Sequence, residues 1–184
     1  QKEEIKEFLS LIYLNCEQLL ALISDILDLS KIESNTMVFN ITEQPLTPLL
    51  QNILRAQQIN VPQEVELLLD LPATDTIITT DPLRLKQVIN NLINNAIKFT
   101  SKGTVTLGYK QNNDQVSIFV KDTGKMNRIF ERFYKGDNFV QGTGLGLAIS
   151  HTIIEHLKGT ITVTSKVGEG SCFTIQHPVK KMGY

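Results

Sequence analysis

Apolar positions return with a helical period over residues 81–100, DPLRLKQVINNLINNAIKFT, where Leu85, Val88, Ile89, Leu92, Ile93, Ala96 and Ile97 share one face. Asp81 before Pro82 has the form of an N-cap followed by a first-turn proline. The opposite stripe is polar: Arg84, Gln87, Asn91, Asn95 and Lys98 follow one another at steps of three and four. Asparagine is a mediocre helix former, so the four asparagines between 90 and 95 weaken the helix they sit in. Such a stripe is either a solvated face or a line of ligands. An amide oxygen can ligate a hard cation such as Mg²⁺, and a lysine can face a phosphate.

The same pattern predicts one long helix over residues 1–33, with Ile5, Leu9, Ile12, Cys16, Leu19, Ile23 and Ile26 as a heptad seam. Leu20, Leu22 and Leu27 add apolar surface, so this helix is expected to pack on another, in the same chain or a partner. Alternation over Met37–Ile41 predicts a short strand, and Thr47-Pro48 the cap and first turn of a helix running to about Gln58. Val65–Leu69 and Ile77–Thr80 read as strands. Val105, Leu107 and Tyr109 alternate with polar residues, as do Val116, Ile118 and Val120, predicting a hairpin with one buried face. Residues 122–147 are irregular and glycine-bearing, a length of loop that is usually functional. Ala148–Leu157 is a helix that Gly159 is expected to stop, and a last hairpin turns around Gly168 and Gly170.

Composition narrows the function. At 184 residues and 41% hydrophobic content the chain can bury a core. A net charge of −1 without a lysine or arginine cluster lacks the footprint of a nucleic-acid binder. Two distant cysteines, Cys16 and Cys172, fit a reducing compartment, and neither an uninterrupted apolar run of 18 residues nor a signal peptide is present. The reading is a cytoplasmic fragment without membrane contact of its own.

Two further stretches carry chemistry. Gly142-Thr143-Gly144-Leu145-Gly146-Leu147 runs straight into a helix, where freed backbone amides and the helix dipole favour an anion. Its spacing is neither the GxxxxGK[ST] loop nor the dinucleotide fingerprint. Asp122-Thr123-Gly124 ends an apolar strand, and its carboxylate can accept from an exocyclic amine where the glycine leaves room, although a plain β-turn reads the same way.

In this order and spacing the three stretches, with Ile129–Tyr134 (IFERFY), resemble the N, G1, F and G2 boxes of the sensor histidine kinases. The wider resemblance is to the ATP-binding superfamily that includes Hsp90 chaperones, type II topoisomerases and mismatch-repair ATPases. Residues 25–34, DILDLSKIES, resemble the end of the second helix of the kinases' dimerisation and phosphoacceptor module. The resemblance implies residues 1–35 as part of that module and 36–184 as the catalytic ATP-binding domain. The domain would be an α/β two-layer sandwich, a mixed and largely antiparallel sheet with three helices on one face. It further implies ATP and Mg²⁺ as cofactors, Asn95 as the metal ligand and Asn91 supporting the phosphates. Lys98 would face the phosphates and Phe99 the adenine. Asp122 would accept the adenine amino group beside Gly124, and Lys135 would reach in from the lid, while Arg132 reads either as a further phosphate partner or as a surface ion pair with Glu131 or a neighbour. The amides of Gly142, Gly144, Leu145, Gly146 and Leu147 would cradle the triphosphate. A homodimer through the first helix and a response regulator receiver domain are the implied partners.

Asn91 stands where hydrolytic members of the superfamily carry a general-base glutamate. An amide cannot take the proton of an attacking water, which favours phosphoryl transfer to protein over hydrolysis. The family's acceptor histidine, followed by an acidic residue and Arg-x-Pro, matches none of His151, His156 and His177, so no residue is assigned as catalytic. The G1 box is also short, Gly124 being followed at once by Lys125-Met126-Asn127-Arg128. Omitted residues are the favoured explanation, and a true deletion would leave a degenerate nucleotide-binding scaffold.

Overall fold

The computed structural model describes residues 2–124, 145–166 and 168–179. Helix α1 (Lys2–Glu33) leads through the irregular segment 36–41 to strand β1 (Thr42–Pro45), helix α2 (Leu46–Gln57) and strands β2 (Val65–Asp70) and β3 (Ile77–Thr80). Helix α3 (Pro82–Phe99) follows, then the hairpin β4 (Gly103–Asn112) and β5 (Gln115–Asp122), helix α4 (Gly146–His156) and the hairpin β6 (Thr160–Lys166) and β7 (Gly170–Pro178).

Five strands form one sheet in the order β2-β4-β5-β7-β6, parallel only between β2 and β4. α3 crosses between those parallel strands and lies on β4 and β5. Every second residue of the central strands faces the helices: Val105, Leu107 and Tyr109 on β4, Val116, Ile118 and Val120 on β5, Phe173 and Ile175 on β7. α3 answers with Leu85, Val88, Ile89, Leu92 and Ile93, all fully buried. Each such side chain contributes about 1.5–3 kcal/mol relative to exposure, enough to carry a helix rich in asparagine. This is the expected mixed α/β layer with its helices on one face.

Three local expectations are corrected. The strand does not lie at Met37–Ile41 but at Thr42–Pro45, paired antiparallel with β3. Met37 and Phe39 turn inward as their alternation suggests, yet they pack on the core without joining a ladder. Helix α2 begins at Leu46 after Pro45, with no side-chain cap. Thr47 instead bridges, its amide donating to Asp75 Oδ1 at 2.8 Å and its hydroxyl 3.0 Å from that of Tyr109. At the end of α4 the left-handed residue is Lys158 (φ 60°), not Gly159. Gly159 is small for another reason: a Cβ there would lie 2.5 Å from the carbonyl oxygen of Gln176 on β7.

α1 leaves its apolar residues in the open, with Ile5, Leu9, Ile12, Leu19 and Ile26 each more than half exposed. Its stretch Phe8–Glu33, of mean hydropathy 1.3, is by length and composition alone sufficient to cross a membrane.

Candidate nucleotide site

The N-cap at Asp81 forms as expected. Its Oδ1 accepts from the amides of Leu83 (2.9 Å) and Arg84 (3.0 Å), which fixes where α3 starts and so where its polar stripe points. Asn91 faces α4: its Nδ2 donates to Ser150 Oγ at 3.0 Å. Gly146 lies against the same amide, since a Cβ there would fall 2.5 Å from Asn91 Oδ1. The first turn of α4 is thereby drawn against α3 with no side chain among the described residues capping it, and amides at a helix start suit an anion. Leu145 and Leu147 pack their side chains on the core.

One turn further, Asn95 is half-buried, and its amide makes no hydrogen bond to the described residues. Lys98 is exposed as a side chain, yet its ammonium is desolvated enough to lower its pKa, and Nζ lies 5.3 Å from the centre of the Phe99 ring.

The third wall is the end of β5. Asp122 is buried, and desolvation raises its pKa against the opposing effect of two backbone donors, Gly124 N at 3.0 Å and Ser171 N at 3.2 Å to Oδ1. A Cβ on Gly124 would collide with the carbonyl of Phe99 (2.5 Å), the hydroxyl of Thr100 (2.9 Å) and Asp122 Oδ1 (3.1 Å). The Thr100 hydroxyl is buried without a partner among the described residues. An orphaned hydroxyl, a buried carboxylate and a missing Cβ thus converge where α3 ends, a place suited to the polar edge of a planar base.

The strand end is held from both sides. Thr123 exchanges bonds with Thr104 on β4, its amide to the Thr104 carbonyl at 3.0 Å and the Thr104 amide to Thr123 Oγ1 at 2.8 Å. From β7, Gly170 (φ 103°) approaches so closely that a Cβ would be 2.0 Å from the Asp122 carbonyl oxygen.

The structure therefore brings Asn91 against Gly146 and, two turns further along α3, Phe99 against Asp122 and Gly124, with Asn95 and Lys98 between them on the same helix. Ile129–Tyr134, Arg132, Lys135, Gly142 and Gly144 lie outside the described residues. Sequence reasoning missed Thr100, Ser150, Ser171 and Gly170. Signals existed for two of them: Ser150 stands four residues after Gly146, and Ser171 shares the inward alternation of Phe173 and Ile175.

A family profile described as histidine kinase-, DNA gyrase B-, and HSP90-like ATPase matches residues 80–181, from the last residue of β3 past β7. The chain belongs to that ATPase family. Among individual proteins, it is 35% identical over 190 residues to the circadian input-output histidine kinase CikA of Synechococcus elongatus, covering 96% of this chain and 25% of the relative. It is 39% identical over 175 residues to the sensor histidine kinase RcsC of Escherichia coli, covering 88% and 18%. The chain thus spans about a fifth to a quarter of the length of these relatives. The alignment with the sensor protein GacS of Pseudomonas syringae runs over 202 residues, more than the 184 of this chain, so that ATPase-family relative carries residues with no counterpart here. In three dimensions the chain is similar to the histidine kinase AdeS of Acinetobacter baumannii, with a TM-score of 0.75 at 29% identity over 90% of this chain and 81% of the other. It is also similar to ShkA, solved in complex with AMPPNP, with a TM-score of 0.74 at 28% identity over 87% and 35%.

Proposed function

We propose that this chain is the nucleotide-binding part of a sensor histidine kinase, with residues 1–35 belonging to its dimerisation and phosphoacceptor module and 36–184 forming the catalytic domain. The observation that carries the reading is the convergence of Asp122, Gly124 and the orphaned Thr100 hydroxyl beside α3. Adenine sits with its amino group on Asp122 and its ring beside Phe99, and the triphosphate runs along Asn91, Asn95 and Lys98 to the amides at the head of α4. Lys135, Gly142 and Gly144 complete the phosphate cradle.

Mg²⁺ fits this donor set. Among the described residues no group of three His, Cys, Asp or Glu could hold a metal ion. The amide of Asn95, unengaged among the described residues, carries a hard oxygen ligand of the kind Mg²⁺ combines with water and phosphate oxygens. When bound, the ion neutralises charge on the phosphates. The γ-phosphoryl leaves the β-phosphate oxygen for an imidazole nitrogen on a helix this chain lacks, ADP departs, and a receiver-domain aspartate accepts the group next. The chain's own contribution is positioning, together with the Lys98 charge. Asn91 supplies no base: its amide donates to Ser150. That favours transfer to protein over hydrolysis, and steady phosphate release by the isolated chain would reverse this assignment. The supply of ATP places the reaction in the cytoplasm.

Titration calorimetry with AMPPNP tests the site. Asp122→Asn loses a charge-assisted hydrogen bond of about 1.5–3 kcal/mol, so affinity falls by roughly 10- to 100-fold. A guanine analogue should bind wild type and variant alike weakly. AMPPNP bound equally well by Asp122→Asn would remove the carboxylate from the site. No binding to the wild-type chain would point to the scaffold reading that the short G1 box raises.

A further inference from the structure

The first two members of the α3 stripe take no part in the nucleotide site. Arg84 and Gln87 close instead on Asp28 of α1: Arg84 Nη1 lies 3.2 and 3.3 Å from the two carboxylate oxygens, and Gln87 Nε2 donates to Oδ2 at 2.7 Å. Arg84 Nη1 also donates to Gln87 Oε1 at 2.9 Å, so the three side chains form a closed set. Asp28 is 7% exposed, on a helix whose other faces are open to solvent. The segment between α1 and β1 is pinned as well. The amide of Asn40 donates to Asp81 Oδ2 at 2.8 Å, and Phe39 stacks on His156 with ring centroids 5.0 Å apart.

Residues 34–41 form no helix or strand and, if drawn out, would span about 27 Å. That length permits the α/β unit to move relative to α1, and the contacts above, together with Ile32 of α1 packed on the core and the approach of α1 to α4, are what hold it. Successive helix residues differ by 100°. Asp28 therefore points about 200° from Ile26 and about 180° from Leu19, away from the heptad seam. A unit held by Asp28 sits on the side of α1 opposite the helix that the seam would pair with.

We propose that Asp28, Arg84 and Gln87 form a latch that parks the nucleotide-binding unit on the far side of α1 and opens for phosphoryl transfer to the acceptor helix. The transfer step rests on the kinase reading, while the latch itself does not. Because Arg84 and Gln87 share a rigid helix with Asn91 and Asn95, opening moves the phosphates as one body with α3.

Spin labels on Cys16 and on Lys121→Cys, in a Cys172→Ser background diluted with unlabelled chain, read the α1-to-sheet distance within one molecule. Wild type should give a single narrow distribution. Arg84→Ala should broaden it, and Asp28→Arg with Arg84→Asp should narrow it again. In the full-length sensor, Arg84→Ala should raise the autophosphorylation kcat at least about fivefold with KM for ATP unchanged, and the exchanged pair should reverse the rise. An unchanged distance distribution, or a kcat that stays level or falls, overturns the latch. Failure of the wild-type chain to bind AMPPNP would sink the kinase reading and leave the distance result standing.

Discussion

His177 is fully buried on the inner face of β7, with Nδ1 2.8 Å from the Pro178 carbonyl oxygen and Nε2 without a partner among the described residues. Burial holds its pKa below the ordinary histidine value of about 6.5, outweighing the bond to Pro178. The unfolded chain therefore takes up a proton near pH 6.5 while the native chain does not, so stability falls as pH drops through that value. Asp122 works in the opposite direction. Its raised native pKa gives a contribution that is full in acid and is lost as pH rises through that pKa. Comparing wild type with His177→Leu isolates the histidine. The fall in Tm between pH 7 and pH 5 should be shallower in the variant, because an apolar side chain leaves no buried nitrogen to protonate. Parallel pH profiles would show that His177 does not couple to folding.

At the scale of elements, two glycines join the site to the sheet in different ways. Gly170 combines a left-handed φ of 103° with the Asp122 backbone 2.0 Å from any Cβ, and backbone cannot swing aside. Gly146 would meet only the Asn91 side chain. Gly170→Ala should therefore cost about 2–4 kcal/mol and lower Tm by roughly 5–12 °C in a differential scan. Gly146→Ala should leave Tm within a few degrees and weaken nucleotide binding, by turning Asn91 off Ser150. Equal Tm losses would mean that both contacts are structural. Elements with a strong period were legible in the sequence: α3, its Asp81 cap and both long hairpins follow from spacing alone. β1 was not, because Thr-Glu-Gln-Pro has no apolar alternation and owes its strand to pairing with β3. Asp122 and Gly146 were legible as chemistry. Thr100 and Ser171 join the site only through contacts between distant elements, which no local pattern records. The same holds for Arg84 and Gln87, whose stripe was visible while their partner, 56 and 59 residues earlier, was not.

For the whole molecule, α1 is the element the α/β unit cannot satisfy. Ile5, Phe8, Leu9, Ile12, Leu19 and Ile23 remain 47–69% exposed, whereas the core residues of α2 and α3 are nearly or fully buried. A contiguous apolar surface of this kind is covered in solution by another chain or by lipid. The heptad spacing of the seam favours a helix of a second copy, and Asp28, tied to Arg84 and Gln87, keeps the end of α1 with the α/β unit. Glutamates at Ile12 and Ile23 would place like charges across a two-fold seam and remove four buried isoleucines from each dimer. At about 1.5–3 kcal/mol for each apolar side chain, the loss far exceeds what one dimer interface of this size can spare. Sedimentation equilibrium should show a dimer for the wild-type chain and a monomer for Ile12→Glu with Ile23→Glu. Because the substituted positions touch none of the α/β core, AMPPNP affinity should be the same in both. A variant that stays dimeric would move the interface off the seam. A wild-type chain that is monomeric and partitions onto lipid vesicles would assign α1 to a membrane.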